Sequence, residues 1–129
     1  MILVDTSVWI ETFKRNQPLQ LEKVVDVDEI VTCLPVIQEV LQGFRAERAF
    51  RLAREAITAF PILESPLQIQ VFEEAAGLYR AARRQGLTVR SSIDCLIAAC
   101  AIRGNHTVLH RDRDFPLIAQ VSSLHQSAV

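Results

Sequence analysis

The sequence lacks the long apolar segments that mark membrane and exported proteins. Its longest apolar run, residues 95–102, is far shorter than the ~20 residues needed to span a bilayer. The opening residues 1–9 contain neither the charged region nor the apolar stretch of a signal peptide. We therefore expect a soluble cytoplasmic protein that has no membrane partner.

Cysteine is scarce and shows no recognisable pattern. Cys33, Cys95 and Cys100 are odd in number, lie in apolar stretches and show no C-x-x-C spacing. A disulfide framework and a cysteine-based zinc site are both excluded on this pattern. We expect the three thiols to behave as small buried hydrophobic groups.

Lysine is also scarce, and the net charge of −1 does not by itself indicate a protein that binds nucleic acid. Setting aside four of the 15 acidic residues, discussed below, leaves 11 against 14 basic residues, a net charge of +3. All the basic residues except Lys14 and Lys23 are arginine, the better bidentate ligand for phosphate. An arginine-preferring genome explains that excess equally well, so the charge balance permits a polyanionic partner without requiring one.

Short apolar runs alternate with helical patterns along the chain. Strands are predicted at residues 2–4, 30–34, 61–64, 107–109 and 121–124. This alternation is typical of a parallel sheet with helices on both faces. The length of 129 residues predicts a single α/β domain that occupies the whole chain.

The helices are predicted from spacing and from boundary residues. Thr6 or Ser7 is expected to cap the first helix, and Pro35 lies where the first turn of a later helix favours proline. Pro66 is predicted to begin a long helix that ends before Gly86. Residues 93–102 are apolar on all sides, which indicates a buried helix.

A basic stripe marks the helix predicted at residues 46–60, where arginine recurs at every third position: Arg45, Arg48, Arg51 and Arg54. A solvated face paired with Glu47 and Glu55 is favoured here over a nucleic-acid-binding track.

Four acidic residues lie where the elements of a parallel sheet would bring them together. Asp5 ends the first strand, Glu39 lies one turn into the helix after the second, Asp94 begins the buried helix, and Asp112 follows the fourth strand. Ligand sites in such sheets lie beyond the carboxyl ends of the strands. We therefore expect the four carboxylates to meet at one edge.

A cluster of this kind predicts a metal site. Like charges at close range raise one another's pKa values unless protons or cations neutralise them. Oxygen ligands without a nearby cysteine or histidine pair favour Mg²⁺, with Mn²⁺ as a substitute, over zinc. Such an ion activates water for in-line attack on phosphorus, so phosphodiester hydrolysis is the predicted chemistry.

Each acid also has an ordinary explanation when it is taken alone. Asp94 could serve the helix dipole, Asp5 could be a turn residue, and Glu39 could be a solvated helix residue. Asp112 and Asp114 could pair with neighbouring arginines in a surface loop. His106, His110 and His125 have no partner at a ligand spacing, so structural or solvent roles are favoured for them.

Four stretches carry a resemblance that spans nearly the whole chain. They are MILVDTSVW at residues 1–9, PVIQEVLQG at 35–43, RSSIDCLIAA at 90–99 and LHRDRDF at 109–115. In this order and spacing the chain resembles the PIN-domain ribonucleases, specifically the VapC toxins of prokaryotic toxin–antitoxin pairs. The resemblance implies a three-layer α/β/α sandwich with a mainly parallel central sheet. It also implies Mg²⁺-dependent endonucleolytic cleavage of RNA, a homodimer, and inhibition by a cognate antitoxin.

The family pattern carries over to this chain residue by residue. It implies an acidic metal site formed by Asp5, Glu39, Asp94 and Asp112, flanked by Thr6 or Ser7 and by Asp114. One departure is visible, because many relatives have threonine two residues before the fourth acid, where this chain has His110. The choice between Asp112 and Asp114 therefore stays open, as does the number of metal ions.

Two other classes of function compete with the ribonuclease. A phosphoryl-transfer enzyme would use Asp5 as a nucleophile, but Ser7 occupies the position where an Asp-x-Asp motif has its second acid. A non-catalytic module would instead bind RNA or protein through the acidic loop and the arginine-striped helix.

Overall fold

The chain forms a five-stranded sheet in which every pair of neighbouring strands is parallel. The computed structural model describes residues 1–129. The strand order is β3-β2-β1-β4-β5, with bounds β1 Ile2–Val4, β2 Ile30–Cys33, β3 Ile62–Leu63, β4 Thr107–His110 and β5 His125–Ala128. The predicted parallel α/β architecture is confirmed.

Six helices cover the two faces of this sheet. Their bounds are α1 Thr6–Thr12, α2 Leu34–Leu41, α3 Glu47–Thr58, α4 Ile69–Arg84, α5 Ser92–Arg103 and α6 Asp114–Gln120. Right-handed crossovers place α1, α2 and α3 on one face, and the return from β3 to β4 places α4, α5 and α6 on the other. Most contacts between helices fall within the same two groups, and α2 also contacts α5.

The strand order reverses at the centre of the sheet, where β1 pairs with both β2 and β4. Connections leave β1 and β4 towards opposite faces, which opens a crevice beyond the carboxyl ends of these two strands. Asp5 and Asp112 lie just beyond those ends. The topology therefore positions both acids at the crevice.

Apolar packing stabilises the helices and strands that surround this crevice. Helix α5 is buried from Asp94 to Ala101, as its uniformly apolar sequence predicts. On the other face the Trp9 ring lies 5.7 Å from the Phe13 ring and 5.6 Å from the Phe60 ring, centroid to centroid. No helix is long and apolar enough to traverse a bilayer.

Several predicted boundaries are wrong. The last strand begins at His125 and not at Val121, because residues 121–124 complete the turn after α6 and Ser122 Oγ donates to Ile118 O at 2.7 Å. Helix α4 begins at Ile69 and not at Pro66, since Gln68 is still extended at φ −94° and ψ 159°. Between α1 and β2 the chain forms two short 3₁₀ helices, Leu21–Lys23 and Val27–Glu29.

Candidate metal centre

The four predicted acids lie together around a cleft of about 240 Å³ at the carboxyl edge of the sheet. The lining residues are Asp5, Thr6, Ser7, Ile10, Glu39, Ser91, Asp94 and Asp112. They come from four separate parts of the chain, so the cleft exists only in the folded protein.

Asp5 follows β1 directly and caps α1, a role predicted for Thr6 or Ser7. Its Oδ2 atom accepts hydrogen bonds from Ser7 N at 3.0 Å and from Ser7 Oγ at 2.5 Å. Its Oδ1 atom is buried and has no hydrogen-bond partner. Burial raises the pKa of Asp5, and the hydrogen bonds from Ser7 partly offset this rise.

Glu39 faces the cleft from α2 and is held by Thr6. The Thr6 hydroxyl donates to Glu39 Oε1 at 2.8 Å, which joins the first helix to the second. Partial burial raises the pKa of Glu39, the hydrogen bond from Thr6 lowers it, and the neighbouring charges of Asp5 and Asp112 raise it further. Thr6 thus keeps a half-buried carboxylate in place.

Asp94 is the most perturbed acid of the cleft. It lies in the first turn of α5 and is 4% exposed. Burial, hydrogen bonding to Asp114 and the charge of Asp112 raise its pKa to about 10. Its Oδ2 atom is buried without a hydrogen-bond partner, so the ionised form of Asp94 is strongly disfavoured unless a cation lies beside it.

Asp112 and Asp114 have different surroundings. Asp114 is 1% exposed, and its carboxylate accepts hydrogen bonds from Arg90 N at 3.1 Å and from Ser91 N at 3.0 Å. Asp112 is half-buried and lines the cleft, while its Oδ1 atom accepts from Asp114 N at 2.9 Å. Asp114 therefore fastens the loop before α5, and Asp112 is the acid that faces the open space.

The donor set fits a divalent metal ion. Asp94, Asp112 and Asp114 offer carboxylate oxygens that lie within 4.8 Å of one another, although the Asp114 oxygens already serve backbone N–H groups. Asp5 Oδ1 and Asp94 Oδ2 have no hydrogen-bond partner and are therefore free to coordinate a cation, which would offset the cost of burying them. All the available ligands are oxygens, as hard cations prefer.

Two polar contacts near the cleft were not predicted from the sequence. The backbone N–H of Arg111 donates to Ser7 Oγ at 2.9 Å. The loop after β4 therefore holds Ser7 in place, and Ser7 in turn holds Asp5. His110 is 2% exposed and contacts both Asp112 and Gln126. Both contacts depend on strand pairing, and no local pattern marks them.

Other predictions have mixed outcomes. The three cysteines are free and buried, as expected. The arginines of the basic stripe are exposed, but the ion pairs of the structure involve Glu11, Glu64 and Glu74 and include neither Glu47 nor Glu55. The pairing expected along α3 is therefore absent.

Comparison with known proteins identifies the family. The PIN domain family matches residues 2–121. The chain is 38% identical to VapC ribonuclease Mb1587 of Mycobacterium bovis, over 99% of this chain and 98% of that protein. The chain belongs to the PIN-domain family of VapC ribonucleases. This PIN domain has the same identity and coverage with ribonuclease VapC11 of Mycobacterium tuberculosis.

Solved structures agree on the fold of this PIN domain. VapBC-1 from nontypeable Haemophilus influenzae matches with a TM-score of 0.75 at 18% identity, covering 99% of this chain and 98% of that chain. DNA-bound VapBC from Salmonella typhimurium matches with a TM-score of 0.77 at 16% identity, covering 98% of this chain and 96% of that chain. At this identity the likeness shows the three-layer fold and nothing more.

Proposed function

We propose that this PIN domain, acting as a single domain over residues 1–129, is the toxin of a toxin–antitoxin pair. Its activity is endonucleolytic hydrolysis of RNA that depends on Mg²⁺, with Mn²⁺ as a substitute. The metal ligands and catalytic acids are Asp5, Glu39, Asp94 and Asp112. The cytoplasm, which holds the RNA substrate, is its compartment.

One observation carries this proposal. Two buried carboxylate oxygens, Asp5 Oδ1 and Asp94 Oδ2, have no hydrogen-bond partner in a cleft that Glu39 and Asp112 also line. A buried carboxylate oxygen without a protein donor is costly unless a proton, a cation or a bound water compensates it. In a relative of VapC ribonucleases, that compensation is best supplied by a catalytic metal ion.

At this site some residues would bind the metal and others hold those ligands in position. Asp5 and Asp94 would hold the metal from the two sides of the cleft, with Asp112 and Glu39 completing the acidic lining. A divalent ion bound there would supply positive charge that neutralises the acids, activates water and stabilises charge on the phosphate. Thr6 and Ser7 hold Glu39 and Asp5 in place through their hydroxyl groups. Asp114 orients the start of α5 and thereby Asp94.

The purified protein, freed of antitoxin, should cut total RNA at discrete positions when Mg²⁺ or Mn²⁺ is present, and EDTA should stop the cutting. Asp94→Asn should abolish cleavage because it removes a ligand charge from the cleft. Asp28→Asn is the matched control, since Asp28 is an exposed acid outside the cleft. Sequencing the cut ends would identify the RNA.

Two results would count against this function. Cleavage that persists in Asp94→Asn would remove the acid site from the mechanism. Tight RNA binding without cleavage, by a folded and metal-loaded protein, would favour the non-catalytic module instead.

The proposal includes two protein partners. A cognate antitoxin is expected because the compared structures include VapBC toxin–antitoxin complexes. A homodimer is supported by an apolar cleft of about 440 Å³ between α4 and α5, lined in part by Phe72, Tyr79 and Ile93. Phe72 is 49% exposed in the single chain, and a second copy would cover it.

A further inference from the structure

His110 is a buried histidine whose two ring nitrogens both have partners. It is the last residue of β4 and is 2% exposed. Its Nδ1 atom lies 3.1 Å from the backbone N of Asp112, and its Nε2 atom lies 2.6 Å from the side-chain oxygen of Gln126. The ring also packs on Phe115, with centroids 5.2 Å apart.

These contacts fix where the ring proton resides. A backbone N–H can only donate, so Nδ1 must be the unprotonated acceptor. A neutral imidazole then carries its proton on Nε2, and Nε2–H donates to Gln126 Oε1. The carbonyl oxygen of Gln126, on β5, thus selects the tautomer in which His110 can hold Asp112.

We propose that His110 is a positioning residue for Asp112 and that Gln126 is the partner that sets its tautomer. The inference rests on the proposed function, in which Asp112 lines the metal site. His110 fixes the backbone of the loop at Asp112, and Asp112 in turn accepts the N–H of Asp114. A hydrogen-bonded path therefore runs from the edge strand β5 to the acidic cleft.

The contact matters because metal ligands tolerate little displacement. Ligating side chains have to be held within about 0.5 Å of the productive geometry, and loss of a supporting partner costs roughly 10–100-fold in metal affinity or activity. Asp112 is half-buried and belongs to a short loop between β4 and α6. Besides the link to Asp114, the ring of His110 is its hydrogen-bonded anchor.

The test compares variants that keep or remove the acceptor at position 110. His110→Phe keeps an aromatic ring against Phe115 but offers nothing to Asp112 N. His110→Asn restores an acceptor, since an Asn side-chain oxygen readily accepts the N–H two residues on. His125→Phe, at an exposed histidine of β5, is the matched control. The measurements are Mn²⁺ affinity by electron paramagnetic resonance, circular dichroism, and cleavage as a function of metal concentration.

We expect His110→Phe to weaken Mn²⁺ binding roughly 10–100-fold with an unchanged circular dichroism spectrum. His110→Asn should recover most of the loss, and His125→Phe should bind Mn²⁺ like the parent protein. Gln126→Leu should weaken binding and should add nothing in the His110→Phe background, because the two residues act through one path. Nitrogen NMR of the ring should show Nε2 protonated and Nδ1 unprotonated.

Failure of this inference can be told from failure of the proposed function. If Asp112→Asn binds Mn²⁺ and cuts RNA like the parent protein, the ribonuclease function stands, but Asp112 is outside the metal site and the positioning role of His110 is wrong. If Asp112→Asn loses both properties while His110→Phe keeps them, the function stands and the positioning role is wrong. A folded His110→Asn variant that is as defective as His110→Phe would also overturn it, as would a protonated Nδ1.

Discussion

Asp5 combines a folding role and a proposed chemical role through its two carboxylate oxygens. Oδ2 accepts the backbone and hydroxyl hydrogens of Ser7, while Oδ1 is left without a partner. Because one oxygen is committed to the helix cap, the other keeps a fixed direction. Ser7 Oγ in turn accepts a hydrogen bond from the backbone N–H of Arg111. Replacing Ser7 should therefore show how far this support sets the properties of Asp5.

Replacing Ser7 with alanine should shift the pH dependence of cleavage. The Ser7 hydroxyl lowers the pKa of Asp5 against the effect of burial, so its removal raises that pKa and reduces the ionised fraction. We expect the acidic limb of the kcat/KM profile to move to higher pH and activity at neutral pH to fall roughly 10-fold. Ser127→Ala, at an exposed serine, should leave the profile unchanged. An unshifted limb in Ser7→Ala would contradict the role given to Ser7.

The sequence predicted the acids of the cleft better than their supports. The four acids could be chosen because each lies just after a strand or near the start of a helix at the same sheet edge: Asp5, Glu39, Asp94 and Asp112. The supports could not, since Arg111 N reaches Ser7 across 104 positions and His110 reaches Gln126 across the β4–β5 pairing. Such contacts follow from the register of the strands, which a single sequence does not fix.

At the level of elements, α5 and α6 are tied together through their N-terminal ends. Asp114, in the first turn of α6, accepts hydrogen bonds from Arg90 N and Ser91 N just before α5. Asp112 makes one such bond and faces the cleft. The two acids, two positions apart, therefore predict opposite mutational effects.

Asp114→Asn should destabilise the fold, whereas Asp112→Asn should abolish cleavage. An asparagine at 114 loses the carboxylate charge and one of the two oxygens that bind the partly buried N–H groups of Arg90 and Ser91, which should cost about 1–3 kcal/mol. An asparagine at 112 keeps an oxygen for Asp114 N but loses the charge that the metal requires. Urea midpoints of the metal-free variants, measured beside RNA cleavage, check both expectations. Full stability in Asp114→Asn, or full activity in Asp112→Asn, would reverse the assignment.

The elements themselves were predictable where burial dominates the sequence. Helix α5 is apolar from Cys95 to Ile102 and β1 is a run of Ile, Leu and Val, so both were predicted near their observed positions. Strand β5 was misplaced because its residues, His125–Ala128, are largely exposed and carry no apolar pattern. Pairing with β4 defines it as a strand, and that information is absent from the segment alone.

For the whole molecule, burial of the acidic cleft makes the stability of the fold depend on whether its carboxyl groups are ionised. Folding buries Asp5 and Asp94 at 2% and 4% exposure and raises the pKa values of Asp5, Glu39 and Asp94. A carboxyl whose pKa is higher in the folded state than in the unfolded state favours folding only while it is protonated. Without metal, each such acid loses this contribution as it ionises.

Metal-free protein should accordingly lose stability as pH rises. Asp94 has an ordinary pKa of 3.8 and a folded pKa of about 10, so its contribution is complete below the first value and declines as pH rises through the second. We expect the melting temperature in EDTA to be lower at about pH 8 than at about pH 5. Metal ligation requires the ionised acids, so saturating Mn²⁺ should raise the melting temperature more at the higher pH.

The Asp94→Asn variant tests whether Asp94 causes this pH dependence of stability. The amide does not titrate, so the decline in EDTA should flatten and the stabilisation by Mn²⁺ should largely disappear at both pH values. Asp28→Asn changes the net charge by the same amount at an exposed position and should retain both effects. If the metal-free protein instead became more stable as pH rose, the buried acids would be ionised and compensated by groups of the chain itself. The two unpartnered oxygens would then need no cation, and the case for a metal centre would lose its physical basis.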